Sequence, residues 1–318
     1  RNQEALREAL LGNPLLRFGY RLRHLLRRNS RRGSSRNIQA HYDLGNDFYS
    51  LWLDSSMTYS SARFSDGARA ADLLHAQQQK YRRMVELSGA AAGDEILEIG
   101  CGWGGLAEYA ATRNIRVRGV TLSPGQLAYA RERLAGAGLG ALAKFELQDY
   151  RDLHGSYDHI VSIEMLEAVG ENYWHAYFKK LRSLLRPGGR AAIQTIVIDD
   201  AHFERYRRRT DFIQQYIFPG GMLPSPGRLA ALAEAHGFRI AQSESFGGDY
   251  AETLRRWRER FDSSERAIRE LGFDDDFMKL WRFYLCYCEA GFDEQRIDVM
   301  MLQLVRDEQE QGHVQTKV

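Results

Sequence analysis

The chain has 318 residues, 44% of them hydrophobic, enough for one large domain or two small ones with a sizeable core. No apolar run approaches the ~18 residues that would span a bilayer. Cys101, Cys286 and Cys288 are too few and too badly spaced for a disulfide framework or a zinc site, and the net charge of +2 hides an asymmetry: residues 1–36 hold ten Arg against two Glu, leaving the rest at −6.

That basic arm interleaves leucines and arginines at near-helical spacing between Leu15 and Arg28. The pattern suits an anionic membrane surface, with arginines on phosphates and leucines in the interface. A helix packed on the domain with a solvated basic face is the alternative. No recognition motif supports nucleic acid. The chain opens without an initiator Met or a signal-peptide pattern and reads as a fragment, and its cysteine usage fits a reducing, cytosolic setting.

Residues 37–90 are expected to form a helical cap, with an amphipathic helix over 69–90 carrying Leu73, Leu74, Tyr81, Met84 and Leu87. An α/β unit is then expected over 91–308. It opens with the apolar strand Glu95 to Ile99, a turn Gly100-Cys101-Gly102-Trp103-Gly104-Gly105, and the helical pattern Leu106 to Ala111. Glycines are needed where the backbone takes positive φ or a ligand lies against it. The spacing Gly100-x-Gly102-x-Gly104 is neither the dinucleotide pattern nor a phosphate-binding loop, so alone it suits a nucleoside site and a structural turn equally.

Strands are expected at Ile115–Ser123, Ala143–Leu147, Tyr157–Ile163 and Arg190–Ile198, the last after the turn Pro187-Gly188-Gly189, with a helix from Pro124 to Leu134 after the first of them. Alternation at this spacing implies a parallel sheet wound with helices, which binds ligands at the carboxyl ends of its strands, where the glycine turn also sits. A nucleoside-binding α/β domain follows. A helix and loop inserted over about 199–225 are placed to lid a pocket. Beyond them come a strand Arg239–Glu244, helical stretches Tyr250–Leu271 and Asp275–Ala290, and a closing strand Asp298–Val305. The polar tail 309–318 reads as disordered.

Several motifs in fixed order carry a resemblance: Asn37-Ile38-Gln39-Ala40-His41-Tyr42-Asp43-Leu44-Gly45-Asn46-Asp47-Phe48-Tyr49, Met57-Thr58-Tyr59-Ser60, the glycine turn, Glu164-Met165-Leu166-Glu167-Ala168-Val169-Gly170, Tyr216-Ile217-Phe218-Pro219-Gly220-Gly221 and Phe246-Gly247-Gly248-Asp249-Tyr250. The chain resembles the cyclopropane-fatty-acyl-phospholipid synthases and mycolic acid cyclopropane synthases over roughly residues 37–306. The resemblance implies a Rossmann-like class I methyltransferase fold with a seven-stranded, mostly parallel sheet, and S-adenosylmethionine as cofactor. It implies as substrate the cis double bond of a phospholipid acyl chain, met by a cytoplasmic enzyme peripheral at the inner membrane surface. A homodimer is a further expectation; no metal is expected.

Carried over by motif, Tyr59 and Ser60 would contact the methionine part of the cofactor, and Gly100, Gly102 and Gly104 would let it approach the turn. Thr121, Leu122 and Gln126 would surround the ribose, with Asp149 and Tyr150 beside the adenine. A helix cap is the alternative reading of Asp149, and a solvated helix residue that of Gln126.

An alkene is a poor nucleophile, so the methyl donor must be held in line and away from water. Methyl transfer leaves a carbocation, which aromatic faces among Phe212, Tyr216, Phe218, Tyr250, Trp281 and Tyr284 could stabilise. Ring closure then needs a base for a proton of the new methyl group. In the family that base is thought to be bicarbonate, held by a cysteine, a glutamate, a histidine, a tyrosine and a backbone group. Glu167, Tyr250 and Ile196 match the glutamate, tyrosine and backbone positions; Ser61 stands for the cysteine and Gln194 for the histidine. Both can hydrogen-bond an oxyanion, though neither copies a protonated imidazole. Cyclopropane formation leads, with C-methylation to a methylene or methyl branch as the nearest alternative. A lipid-binding protein without catalysis and a small-molecule N- or O-methyltransferase are the others.

Overall fold

The computed structural model describes residues 44–64 and 72–307. The basic arm 1–36, the motif residues 37–43 and the tail 309–318 lie outside them. Strands β1 (Glu95–Ile99), β2 (Arg116–Thr121), β3 (Ala143–Leu147), β4 (Tyr157–Ile163), β5 (Leu185–Ile198), β6 (Phe238–Ser245) and β7 (Ile297–Arg306) form one sheet in the order 3-2-1-4-5-7-6. β7 alone runs antiparallel to its neighbours, pairing Ile198 with Ile297 and Arg190 with Val305. This is the seven-stranded, mostly parallel sheet that the resemblance implies.

Helices α1 (Asn46–Ser50), α2 (Leu73–Ser88), α3 (Gly105–Ala111), α4 (Pro124–Gly136), α5 (Leu166–Val169), α6 (Trp174–Leu184), α7 (Asp200–Arg207), α8 (Pro226–Ala235), α9 (Gly247–Ser263), α10 (Glu265–Glu270) and α11 (Asp275–Asp293) surround it. Local chemistry sets their ends. The Asp72 carboxylate accepts from His75 N at 2.7 Å to open α2, which Gly89 closes at φ 75°. Ser123 and Ser225 cap α4 and α8, each with proline in the first turn.

Several boundaries differ from the sequence expectation. β5 starts at Leu185, because the Pro187-Gly188-Gly189 turn is drawn into the strand with a register shift against β4. The stretch Tyr250–Leu271 is two helices, broken at Ser264, where φ −95° and ψ 8° leave the helical range. Helices α6 and α8 have amphipathic patterns that the sequence reading did not separate from the strands beside them.

The core lies in three parts. One face of the sheet packs Trp174, Tyr177, Phe178 and Leu181 of α6 and Leu229 and Leu232 of α8 on Leu97, Ile160 and Ile193. The other packs Met84, Leu106, Ala110, Ala130 and Leu134 on Ile96, Val117 and Val161. Over the carboxyl ends of the strands, Phe48, Tyr49 and Trp52 join Trp257 and Phe261 of α9 and Trp281 of α11 in a third, aromatic cluster. That cluster roofs the edge where ligands bind in such sheets.

Candidate active site

A cavity of ≈ 1260 Å³ opens at this edge, lined by the glycine turn, the ends of β1, β2, β4 and β5, and residues of α9 and α11. It is larger than the ~300–1,000 Å³ usual for one drug-sized ligand, so it has room for two. At its floor Gly102 has φ 50°, and a side chain there would meet nothing within 4 Å, so its bare face looks into the cavity. Gly100 lines the cavity too. Gly104 does not: a Cβ there would stand 3.1 Å from the Ala130 side chain, so it serves the packing of α3 on α4.

Tyr59, Ser60, Thr121, Leu122, Gln126 and Tyr150 all line the cavity. Thr121 donates to Gln126 Oε1 at 2.9 Å, which fixes a buried amide rather than a solvated one. Asp149 is placed differently. It accepts from Arg151 N at 2.9 Å as a cap and from the Arg151 guanidinium at 2.6 Å, and it is not among the lining residues. Both bonds are two residues away in sequence, so local pairing takes the carboxylate.

The chemistry-bearing end of the cavity is built on Glu164, which sequence reasoning passed over. It ends β4 at φ 48°, a left-handed backbone that non-glycine residues seldom adopt. Its Oε1 accepts from Ser61 N and from Gln194 Nε2, each at 2.8 Å, and its Oε2 accepts from Tyr250 Oη at 2.7 Å. All three partners donate, which is the environment of an ionised carboxylate. Burial holds its pKa above the ordinary carboxyl value, and the Tyr250 hydroxyl, Lys80 and the other two donors offset only part of that rise.

Ser61, Gln194 and Tyr250 are three of the five positions the resemblance assigns to bicarbonate, and here Glu164 takes their donors. The residues present therefore do not fit a bound bicarbonate. Ser61 takes part through its backbone, since its hydroxyl donates to Ala62 O at 2.9 Å. Ser61 and Gln194 lie behind Glu164, fully buried, whereas Tyr250, Glu167 and Ile196 line the cavity.

Glu167 stands one helical turn on. Ile196 N donates to its Oε1, and its Oε2 is buried without a hydrogen-bond partner. Burial, reinforced by the Glu164 charge, pushes its pKa up to about 8. Both residues are part-exposed and line the cavity. Beneath them Lys80 is fully buried, donates to Ser60 Oγ at 2.6 Å, and is brought down to about 7 by desolvation.

Among the aromatic candidates, Phe218, Tyr250 and Tyr284 line the cavity, while Phe212, Tyr216 and Trp281 do not. Tyr284 and Tyr59 share a hydrogen bond at 2.8 Å. Tyr59 also packs on Trp257, with ring centroids 5.4 Å apart.

Residues 29–302 match the family model described as mycolic acid cyclopropane synthetase. The chain belongs to that family. It is 44% identical to the tuberculostearic acid methyltransferase UfaA1 of Mycobacterium tuberculosis over 88% of its own length and 67% of the relative's. It is 38% identical to the cyclopropane-fatty-acyl-phospholipid synthase of Escherichia coli, over 83% of its length and 66% of the relative's. The chain thus spans about two thirds of these relatives. The solved structure of mycolic acid cyclopropane synthase CmaA1 complexed with SAH and CTAB superposes with a TM-score of 0.79 at 29% identity, covering 86% of this chain and 98% of that one.

The protein is an S-adenosylmethionine-dependent methyltransferase. Its own residues fit the cofactor. The bare face of Gly102 is free for it, and beside the turn Glu98 is buried with Oε2 lacking a partner, an acceptor suited to an amino group. Glu98, like Glu164, was missed from sequence. Its signal was a carboxylate flanked by the apolar residues Leu97 and Ile99, two residues before the glycine turn.

Proposed function

We propose that the protein methylates the cis double bond of an unsaturated phospholipid acyl chain and yields a methylene branch, with Glu164 as the base. The observation that carries this reading is the Glu164 carboxylate seated on Ser61 N, Gln194 Nε2 and Tyr250 Oη. The 44% identity to a tuberculostearic acid methyltransferase supports a branched rather than a cyclic product.

S-adenosylmethionine supplies the methyl group. Gly100, Gly102, Tyr59 and Ser60 would hold its methionine end against Glu98, with Thr121, Leu122 and Gln126 at the ribose and Tyr150 at the adenine. The alkene electrons form the new C–C bond as the methyl carbon–sulfur bond of the sulfonium breaks and its electrons return to sulfur, which leaves a neutral thioether and a cation on the neighbouring chain carbon. Tyr250, Tyr284 and Phe218 offer it ring faces in the cavity they line. A 1,2-hydride shift moves the charge to the methylated carbon. Glu164 then takes a proton from the new methyl group, and the C–H electrons become the double bond of the methylene branch.

Without the shift, the same proton loss would close a cyclopropane. One base serves both outcomes, and the product shows which step comes first. Glu167, largely protonated at neutral pH, leaves the anionic role to its neighbour.

NMR of lipids from cells expressing the protein, with chain-cleavage mass spectrometry, should show a methylene branch, and bicarbonate-free buffer should leave turnover unchanged. Glu164→Gln should lower turnover about 10²-fold or more with cofactor affinity nearly intact. Glu164→Gly should regain activity when bicarbonate is added. Bicarbonate-dependent wild-type activity giving cyclopropane alone would overturn the reading.

A further inference from the structure

Arginines gather at the outer part of the cavity. Arg205 on α7, Arg209 just beyond it and Arg296 in the turn before β7 all line the cavity and are exposed. Among the described residues none of the three makes an ion pair, whereas their neighbours Arg207 and Arg208 are held by Glu171 and Glu204. His202 stands with them, and Glu294 is the exposed acid on the same rim.

Beside the arginines lies an aromatic patch made by two distant segments. The Phe212 ring packs on Tyr216 at 5.5 Å, on Phe283 at 4.7 Å and on Tyr287 at 5.8 Å between centroids. Tyr216 is 52% exposed and Phe283 and Tyr287 38% each, so the rings stack on one another while facing outward. Tyr287 also lines the cavity, which makes patch and rim continuous. Large exposed aromatics grouped in this way mark an interaction surface.

We propose that this rim is the face by which the protein docks on a phospholipid bilayer. The rings enter the headgroup–acyl boundary, where aromatic side chains are favoured. Arg205, Arg209 and Arg296 take lipid phosphates, and an acyl chain lifted from the bilayer passes Tyr287 into the cavity. Charge complementarity and continuity with the cavity select a bilayer as occupant. The inference rests on the phospholipid reading above for its substrate.

The test is co-sedimentation of the full chain with phosphatidylglycerol and phosphatidylcholine vesicles at moderate salt, which screens the basic arm. Tyr216→Ser with Phe283→Ser, both outside the cavity, should weaken vesicle binding about tenfold. Turnover on vesicles should fall in step, while turnover of a short-chain phospholipid dissolved as monomers stays unchanged. Leu271→Ser, which removes an exposed apolar side chain elsewhere, should change neither. Vesicle binding and vesicle turnover unaltered in the double variant would overturn the proposal while leaving the chemistry intact. Patch-dependent binding without methylation of any phospholipid would uphold the docking face and overturn the substrate.

Discussion

Glu164 shows how much one backbone angle can decide. At φ 48° its side chain turns back from the end of β4 to the donors of three other segments, where a right-handed continuation would carry it along α5. Its charge reaches two further groups, whose titrations run in opposite senses. Glu167 is held up at about 8, chiefly by burial and then by Glu164. Between the ordinary carboxyl value and about 8 the unfolded chain gives up this proton first, so Glu167 lowers stability as pH rises through that window. Lys80 is brought down to about 7 by burial, against the pull of Glu164. Between about 7 and the ordinary lysine value the unfolded chain holds the extra proton, so Lys80 raises stability with pH there. Melting temperatures of Glu167→Gln should gain on wild type as pH climbs from about 5 to about 8. The gain of Lys80→Met should instead be greatest below about pH 7 and fade above it. Parallel pH profiles for all three proteins would contradict these assignments.

Among the elements, α9 binds roof to site. Trp257 is fully buried, with ring centroids 5.7 Å from Trp52, 5.4 Å from Tyr59 and 6.1 Å from Tyr250. Trp257→Ala should cost about 3–5 kcal/mol in chemical denaturation. It should also weaken cofactor binding, because Tyr59 and Tyr250 lose the wall behind them; a stable variant with native affinity would show the roof to be independent of the site. Elements of this kind were legible in the sequence wherever a strong period met a clear punctuation mark, as at Ala143–Leu147 and Tyr157–Ile163. The glycine turn was legible for the same reason, and Glu167 and Tyr250 through their motifs. Glu164 was not. Its partners come from residues 61, 194 and 250, and no local pattern encodes a convergence of four distant segments. Asp149 shows the opposite case, a carboxylate whose bond is to a residue only two positions away.

At the scale of the whole molecule, charge is divided between a basic arm and an otherwise acidic chain. Neutralising the arginines within residues 15–32 should weaken binding to anionic vesicles by about 1 kcal/mol for each one near the surface, with little effect on neutral vesicles. Equal pelleting with both lipids at low and moderate salt would remove the arm from membrane binding. The carboxylate on Ser61, Gln194 and Tyr250 has a different reach. A base that arrives from solution is present in proportion to dissolved carbon dioxide and can diffuse away with the proton it accepts. A base fixed to the chain is present at every turnover, whatever gas the cell is breathing. It must, however, be emptied before the next cycle, and the Tyr250 hydroxyl at 2.7 Å is the bonded neighbour through which that proton can leave. Independence from the surroundings is thus exchanged for a relay that has to reset.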